Sequence, residues 1–399
     1  MFDKMTLEKY ADVLLWGLTV SRKVPFKNGE TVGVRFNVDA LDLAEVVYAK
    51  LIQKHLNPVV RMLPTPNMDL ALYDHSSPLQ LTSVPAGEKE FAQELGGMIS
   101  ILAPASLRHL GHVDPELFGM FQKSRKFLRD IMDEREGQGL FGWTLCLYPT
   151  EALARNAGAS LEEYAKRIER ACLLTEAEPE KDWQRLWKKA QEIKAWLAGM
   201  DIRKYRVESE NMDLTVGHGE KRRWVGITGH NIPSFELYIS PDWRQTEGTY
   251  FADLPSFRSG NLVKGVKLKF NKGLVIDADA EQGREFVLKQ IAMDLGASRV
   301  GEFSLTDKRF SRIDAFMAHT LFDENFGGEN GNCHLALGSS YADTFDGDPA
   351  ELTQERKEAL GFNGSALHWD LVNTEAKTVT AILGDGSSKV IYEYGQFAC

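Results

Sequence analysis

"ETVGVRFNVDALDLAEVVYAKLIQKHLNPVVRML", residues 30–63, decides the fold of the first half of the chain. "ETVGVRFNV" reads as a strand. "DALDLAEVVYAKLIQKHL" follows as a helix, with Asp39 as its expected N-cap. "NPVVRML" then reads as a second strand. Strand, helix, strand in that order is a βαβ unit, which implies a parallel sheet with a right-handed crossover.

The pattern extends in both directions. Upstream, "YADVLLWGLTV" (10–20) is helical, with Leu14, Leu15 and Leu18 among its apolar positions. Downstream, "GGMISILAP" (96–104) and "LFGWTLCLYP" (140–149) read as strands. "DPELFGMFQKSRKFLRDIMDERE" (114–136), "TEALARNAGASLEEYAKRIERACLL" (150–174) and "DWQRLWKKAQEIKAWLAGM" (182–200) read as helices. Trp187 and Trp196 sit among the apolar residues of the last one, where core packing explains them better than a cofactor does. Near residue 200 the texture changes. "KYRVESENMDLTVGHG", "RRWVGITGHNIPSFELYISP" and "LVKGVKLKFNKGLVIDADA" alternate apolar and polar residues between Gly, Asn and Asp turns, as antiparallel strands do. A helix, "EQGREFVLKQIAMDL", and further strands follow. The expected architecture is an α/β N-terminal domain with a parallel sheet (1–200) and an α+β C-terminal domain with a mixed or antiparallel sheet (201–399).

Composition narrows the function. The 399 residues are 43% hydrophobic and 26% charged, near globular averages. Lys plus Arg is 47 against 57 for Asp plus Glu, a net charge of −10. With no basic run, nucleic acid is not an expected partner. No stretch approaches the ~18 uninterrupted apolar residues of a membrane span, and "MFDKMTLEKYADVLLWGLTV" is too interrupted by charge for a signal peptide. Cys146, Cys172, Cys333 and Cys399 show no CxxC spacing. A reduced, cytoplasmic protein is expected. The first half has no GxGxxG after a strand, no phosphate loop and no GxSxG. Its histidines, His55, His75, His109 and His112, stand apart from acid clusters.

The second half is different. "NIPSFELYISPD" (231–242), "RVGEFSLTD" (299–307), "DENFGGENGNCHLALGSSY" (323–341) and "ALHWD" (366–370) each set an acid or histidine in an apolar or glycine-rich frame. Glu236 lies between Phe235 and Leu237, and Glu302 in "VGEFSL". A carboxylate buried there must be paired or metal-bound, because an isolated buried charge is very costly. His334 lies in "CHLAL". His368 and Asp370 form H-x-D, which on a strand points both side chains to one face. Taken singly, each is an ordinary strand residue. Together, Glu236, Glu302, His334, His368 and Asp370 make a carboxylate and imidazole set suited to two divalent ions such as zinc, cobalt or manganese.

"NIPSFELYISPD", "GEFSL", "TLFDEN", "HLALGSSY" and "HWD", with "LEKYADVLLWGLTV" and "AGASLEEY" earlier, resemble the thermophilic metallo-aminopeptidases of the aminopeptidase T, aminopeptidase S and PepS type. The resemblance runs along nearly the whole chain and is strongest from residue 231 onward. It implies release of N-terminal amino acids from short peptides, and a homodimer enclosing the active site. It implies that Glu236, Glu302, His334, His368 and Asp370 are the metal ligands, with Glu302 as candidate bridge. Glu324 would be the general base that deprotonates a metal-bound water, and Tyr341 the donor to the oxyanion. The D-E-N acid lies five residues before the histidine in many relatives. Here Glu324 lies ten before His334, and Glu329 five before. An insertion such as "FGGEN" accounts for this and favours Glu324, with Gly327, Gly328 and Gly331 turning the longer loop at φ > 0. The ligand set also suits another two-metal amide or ester hydrolase, and a non-catalytic peptide-binding protein could bury the same acids in pairs.

Overall fold

The computed structural model describes residues 2–348 and 351–399. It divides into two compact units, Met1–Trp183 with Thr228–Ile232, and Gln184–Ile227 with Pro233–Cys399. The expected boundary near residue 200 rested on sequence texture alone; the structure sends five later residues back into the first unit.

The first unit is built on a five-stranded parallel sheet. Its strands are Thr31–Phe36, Asn57–Met62, Leu95–Leu102, Gly142–Leu147 and the short Asn231–Ile232. The order is second, first, third, fourth, fifth. The βαβ unit forms as read: Thr31–Phe36 pairs in parallel with Asn57–Met62, and Leu41–Gln53 is the crossover helix. Asp39 is not its cap. It lies inside a 3₁₀ turn, Val38–Ala40, and Ala40 takes the N-cap position. The run 150–174 is two helices, Glu151–Asn156 and Leu161–Ala171. Gly158 breaks it at φ 65°, and Ser160 with Glu163 restarts it as a capping box. Helix Lys4–Val20 starts at Asp3, whose carboxylate accepts the Thr6 N–H at 2.8 Å. It buries Leu14, Leu15 and Leu18 and stacks Trp16 on Trp183. The returning segment docks on this helix through two glycines. A Cβ at Gly17 would lie 2.8 Å from the Gly229 carbonyl oxygen, and Gly229 itself sits at φ 84°.

The second unit holds a nine-stranded sheet and a four-stranded sheet. Every pairing in both is antiparallel. The four-stranded sheet carries the chemistry. Its strands are Glu236–Ile239, Val300–Thr306, Asn332–Gly338 and His368–Asn373, ordered fourth, third, second, first. One face is apolar: Phe303, Leu305, Leu237, Leu335, Leu337 and Leu371 are all buried. Phe303 packs on Tyr205 and Trp224. Each such side chain contributes about 2 kcal/mol of burial, which offsets the cost of taking acids out of water on the opposite face. Among the described residues no helix is long and apolar enough to cross a membrane.

Candidate metal centre

Strand register decides which side chains meet. Directly paired residues share a face. Thr306 pairs with Glu236, and Ser304 with both Tyr238 and His334. Glu302 pairs with Ala336, which pairs with Asp370, and Gly338 pairs with His368. Period-2 alternation along each strand therefore puts Glu236, Glu302, His334, His368 and Asp370 on one face, from four different strands. Ser304, Ala336 and Gly338 lie among them and are small, which leaves room for the larger side chains to meet over them. A one-residue slip in any strand would turn its ligand into the apolar core. Cys333 points to that other face.

The side chains converge closely. His334 Nε2 lies 3.0 Å from Glu302 Oε1, 3.2 Å from Glu236 Oε2 and 4.0 Å from Asp370 Oδ1. His368 Nε2 lies 3.4 Å from Asp370 Oδ1 and 3.7 Å from Glu302 Oε2. Glu302 thus turns one oxygen to each histidine. Ligand atoms of Glu236, Glu302 and His334 all fall within 4.8 Å of one another. Both imidazoles are held from behind by main-chain oxygens: His334 Nδ1 donates to the Glu324 carbonyl at 3.1 Å, and His368 Nδ1 to the Ser339 carbonyl at 2.8 Å. That arrangement turns Nε2 of each ring toward the acids and fixes Nδ1 as a donor, so that loss of the Nε2 proton gives the tautomer a metal ligand needs.

Glu324 ends the short helix Thr320–Asp323 and is buried. Its Oε1 accepts from Asn325 Nδ2 at 3.3 Å. Glu324 and Asp370 line the same small pocket. Glu329 is exposed and its carbonyl takes Lys308 Nζ. Of the three loop glycines, Gly328 (φ 48°) and Gly331 (φ 60°) use positive φ; Gly327 instead lets the chain approach Ser311, where a Cβ would sit 2.5 Å from its carbonyl oxygen. Tyr341 is 45% exposed, with its ring 4.6 Å from that of His368 and 5.8 Å from that of Tyr238. It is the exposed residue of this group.

Sequence reading missed three supporting groups. Asn325 is fully buried; its Oδ1 accepts the N–H groups of Phe235 (2.5 Å) and Glu236 (3.1 Å), while Nδ2 donates to the Leu321 carbonyl and to Glu324. Arg258 Nη1 donates to the His368 carbonyl at 2.7 Å. Asp323 accepts the N–H groups of Met317 and His319. The available signal was "DEN" itself, which contains both Asp323 and Asn325.

Electrostatics show what the cluster lacks. Burial pushes Glu236 up to about 8, and Glu302 and Asp370 add to this against the opposing charge of His334. Burial, then Glu236, Asp370 and Glu302, lifts Glu324 well above the usual carboxylate range. Burial alone would lower both histidines. Glu302 and Glu236 outweigh it at His334, and Asp370 with Glu302 does so at His368, holding each at about 9. Burial would raise Asp370, but His368 and His334 pull it down to about 2. Four buried acids thus compete for positive charge that two imidazoles supply only by taking up protons. Divalent cations would satisfy the same demand, and oxygen with imidazole nitrogen and no thiolate is a donor set that suits zinc, cobalt or manganese. The residues fit the group.

The chain is similar to known proteins along nearly its whole length. A family model described as thermophilic metalloprotease (M29) matches residues 3–397. Aminopeptidase PepS of Streptococcus thermophilus is 24% identical over 416 aligned residues, covering 99% of this chain and 98% of its own. Aminopeptidase 2 of Geobacillus stearothermophilus is 24% identical over 419, covering 98% and 97%. The solved structure of wild-type AmpT from Thermus thermophilus has the same fold, with a TM-score of 0.80 at 23% identity over 99% of this chain and 100% of that one. A match of that extent, on a chain whose buried acids and imidazoles gather on one sheet face, places the protein in the thermophilic metalloprotease (M29) family.

Proposed function

We propose that the protein is a metal-dependent aminopeptidase releasing N-terminal residues from short peptides, with Glu236, Glu302, His334, His368 and Asp370 holding two divalent cations. The observation that carries this reading is Glu302, whose two oxygens face His334 and His368 separately. That is the disposition of a carboxylate shared between two sites. Zinc, cobalt or manganese bound there would polarise the scissile carbonyl and lower the pKa of an attacking water.

The chain supplies the rest. Glu324 takes the proton of the attacking water and passes it to the leaving amine. Its burial among other acids raises its affinity for the proton it takes from the water. Tyr341, beside His368, donates its hydroxyl hydrogen to the oxygen on which negative charge develops. Asn325 fixes Glu324 and the Glu236 backbone together. A free α-amine adds positive charge beside the carboxylates, which a blocked or internal amide cannot do, so cleavage is confined to N-termini. Arg258 is engaged with the His368 carbonyl, which favours amide over phosphate substrates. The homodimer belongs to the same reading, as does a cytoplasmic location.

The test is hydrolysis of aminoacyl-p-nitroanilides with added zinc, cobalt or manganese, with and without chelator. Chelator-sensitive release is expected. Activity unaffected by chelator, or none with any of the metals, would overturn the reading.

A further inference from the structure

Beside the centre lies a cavity of about 390 Å³ whose lining includes Arg299, Lys357, Trp243, Ser339, Ser340 and Asn363. Arg299 is its distinctive member. The guanidinium lies 4.0 Å over the Trp243 ring, and its single hydrogen bond among the described residues is a long one, Nη1 to Asn363 Oδ1 at 3.5 Å. Its Nε is buried and has no hydrogen-bond partner among the described residues. Among the described residues no acid pairs with Arg299 or Lys357, although the chain carries ten more acids than bases and its other buried or stacked arginines are engaged: Arg22 by Glu30, and Arg222 by three carbonyl oxygens. Glu358, also in the lining, accepts from Gln354. A planar, stacked, under-bonded guanidinium in a cavity that a lysine also lines is an arrangement that recognises a carboxylate.

The cavity adjoins the catalytic wall. Ser339 lines it and also supplies the carbonyl that holds His368 Nδ1 at 2.8 Å. Ser340 and Ala342, both in the lining, flank Tyr341. The strand ligand Glu302 begins three residues after Arg299.

We propose that this cavity is a binding site for a carboxylate, contacted by Arg299 and Lys357 and stacked against Trp243. The carboxylate comes either from the C-terminus of a short peptide substrate or from a free amino acid derivative. The first source rests on the aminopeptidase reading; the second does not.

The experiment separates the two. Hydrolysis of Leu-Leu is compared with that of Leu-Leu-amide and of leucine-p-nitroanilide, in wild type, Arg299→Gln and Lys357→Gln. N-acetyl-leucine binding is followed in parallel by thermal shift and calorimetry. For a substrate carboxylate, Leu-Leu is preferred over its amide about tenfold in kcat/KM, as one charge-assisted contact would give. Arg299→Gln abolishes the preference and leaves the anilide rate within about twofold. For a free carboxylate, acid and amide react alike, while N-acetyl-leucine binds wild type and not Arg299→Gln. Lys357→Gln weakens either effect and guards against misfolding of the Arg299 variant. The proposal is overturned if wild type shows neither preference nor binding, or if both survive in the two variants. Absence of all peptide hydrolysis with metal present sinks the aminopeptidase reading instead, and leaves the binding measurement to decide on the cavity.

Discussion

The side-chain oxygen of Asn325 accepts the backbone N–H of Glu236 at 3.1 Å, tying the edge strand of the metal face to the turn that carries Glu324. Every polar atom of that amide is satisfied and the residue is fully buried. Asn325→Ala leaves two N–H donors without their acceptor. Each unmatched buried group costs roughly 1–3 kcal/mol, so a loss of about 3 kcal/mol in unfolding free energy is expected in urea titrations. The activity loss should appear in kcat rather than KM.

Glu324 and Glu329 are distinguished by substitution. Glu324→Gln keeps the shape and removes the base. A fall in kcat of roughly 10²–10⁴ is expected with metal content unchanged by elemental analysis. Glu329→Gln, on an exposed loop, should leave kcat within experimental scatter. The reverse result would assign the base to Glu329.

Tyr341→Phe removes one hydroxyl from the ring that packs beside His368. Loss of a preorganised oxyanion donor costs about 3 kcal/mol of transition-state stabilisation, or roughly 10² in kcat. KM for an aminoacyl anilide should change little. An unchanged kcat would make Tyr341 a packing partner of His368 and nothing more.

Metal uptake should release protons. In the metal-free protein Glu236 sits at about 8 and His334 and His368 at about 9, so all three are largely protonated at pH 7. Ligation requires the deprotonated forms. Zinc titration in buffers of different ionisation enthalpy should therefore show net proton release at pH 7. Release should shrink as pH rises past about 9, and metal affinity should fall as pH drops.

Stability should decline in acid through a second group. Burial lowers His319 to about 4, and its Nδ1 accepts the Leu321 N–H as the cap of the helix leading to Glu324. The folded pKa lies below the unfolded value of about 6.5. The unfolded chain thus binds more protons between those values, and the contribution is complete above about 6.5 and lost as pH falls to about 4. It amounts to at most about 3 kcal/mol. His319→Asn keeps a capping side chain and removes the titration. Its melting temperature should fall less steeply between pH 6.5 and 4, with a residual slope from His218, which burial also lowers to about 4.

Much of this was legible in the residues. The βαβ stretch 30–63 announced a parallel sheet because its periodicity is local. The candidate ligands stood out as acids and imidazoles in apolar frames, and the register then put all five on one face. Less was readable where the determinant is non-local. Asp39 has the chemistry of a cap, but the chain first makes a 3₁₀ turn and Ala40 takes that position. The break at Gly158 depends on one positive φ inside an otherwise helical run. The return of Thr228–Ile232 to the first sheet depends on two glycines more than two hundred residues apart. Asn325 gave no hint of reaching Phe235 and Glu236, since ninety positions separate them along the chain.

Both imidazoles lean on oxygens that belong to the peptide backbone of residues 324 and 339. Those anchors persist whatever side chain is installed at either position. A point mutation can therefore erase the proposed base while both rings keep their alignment, and such a variant would be a natural trap for capturing an uncleaved peptide in a crystal.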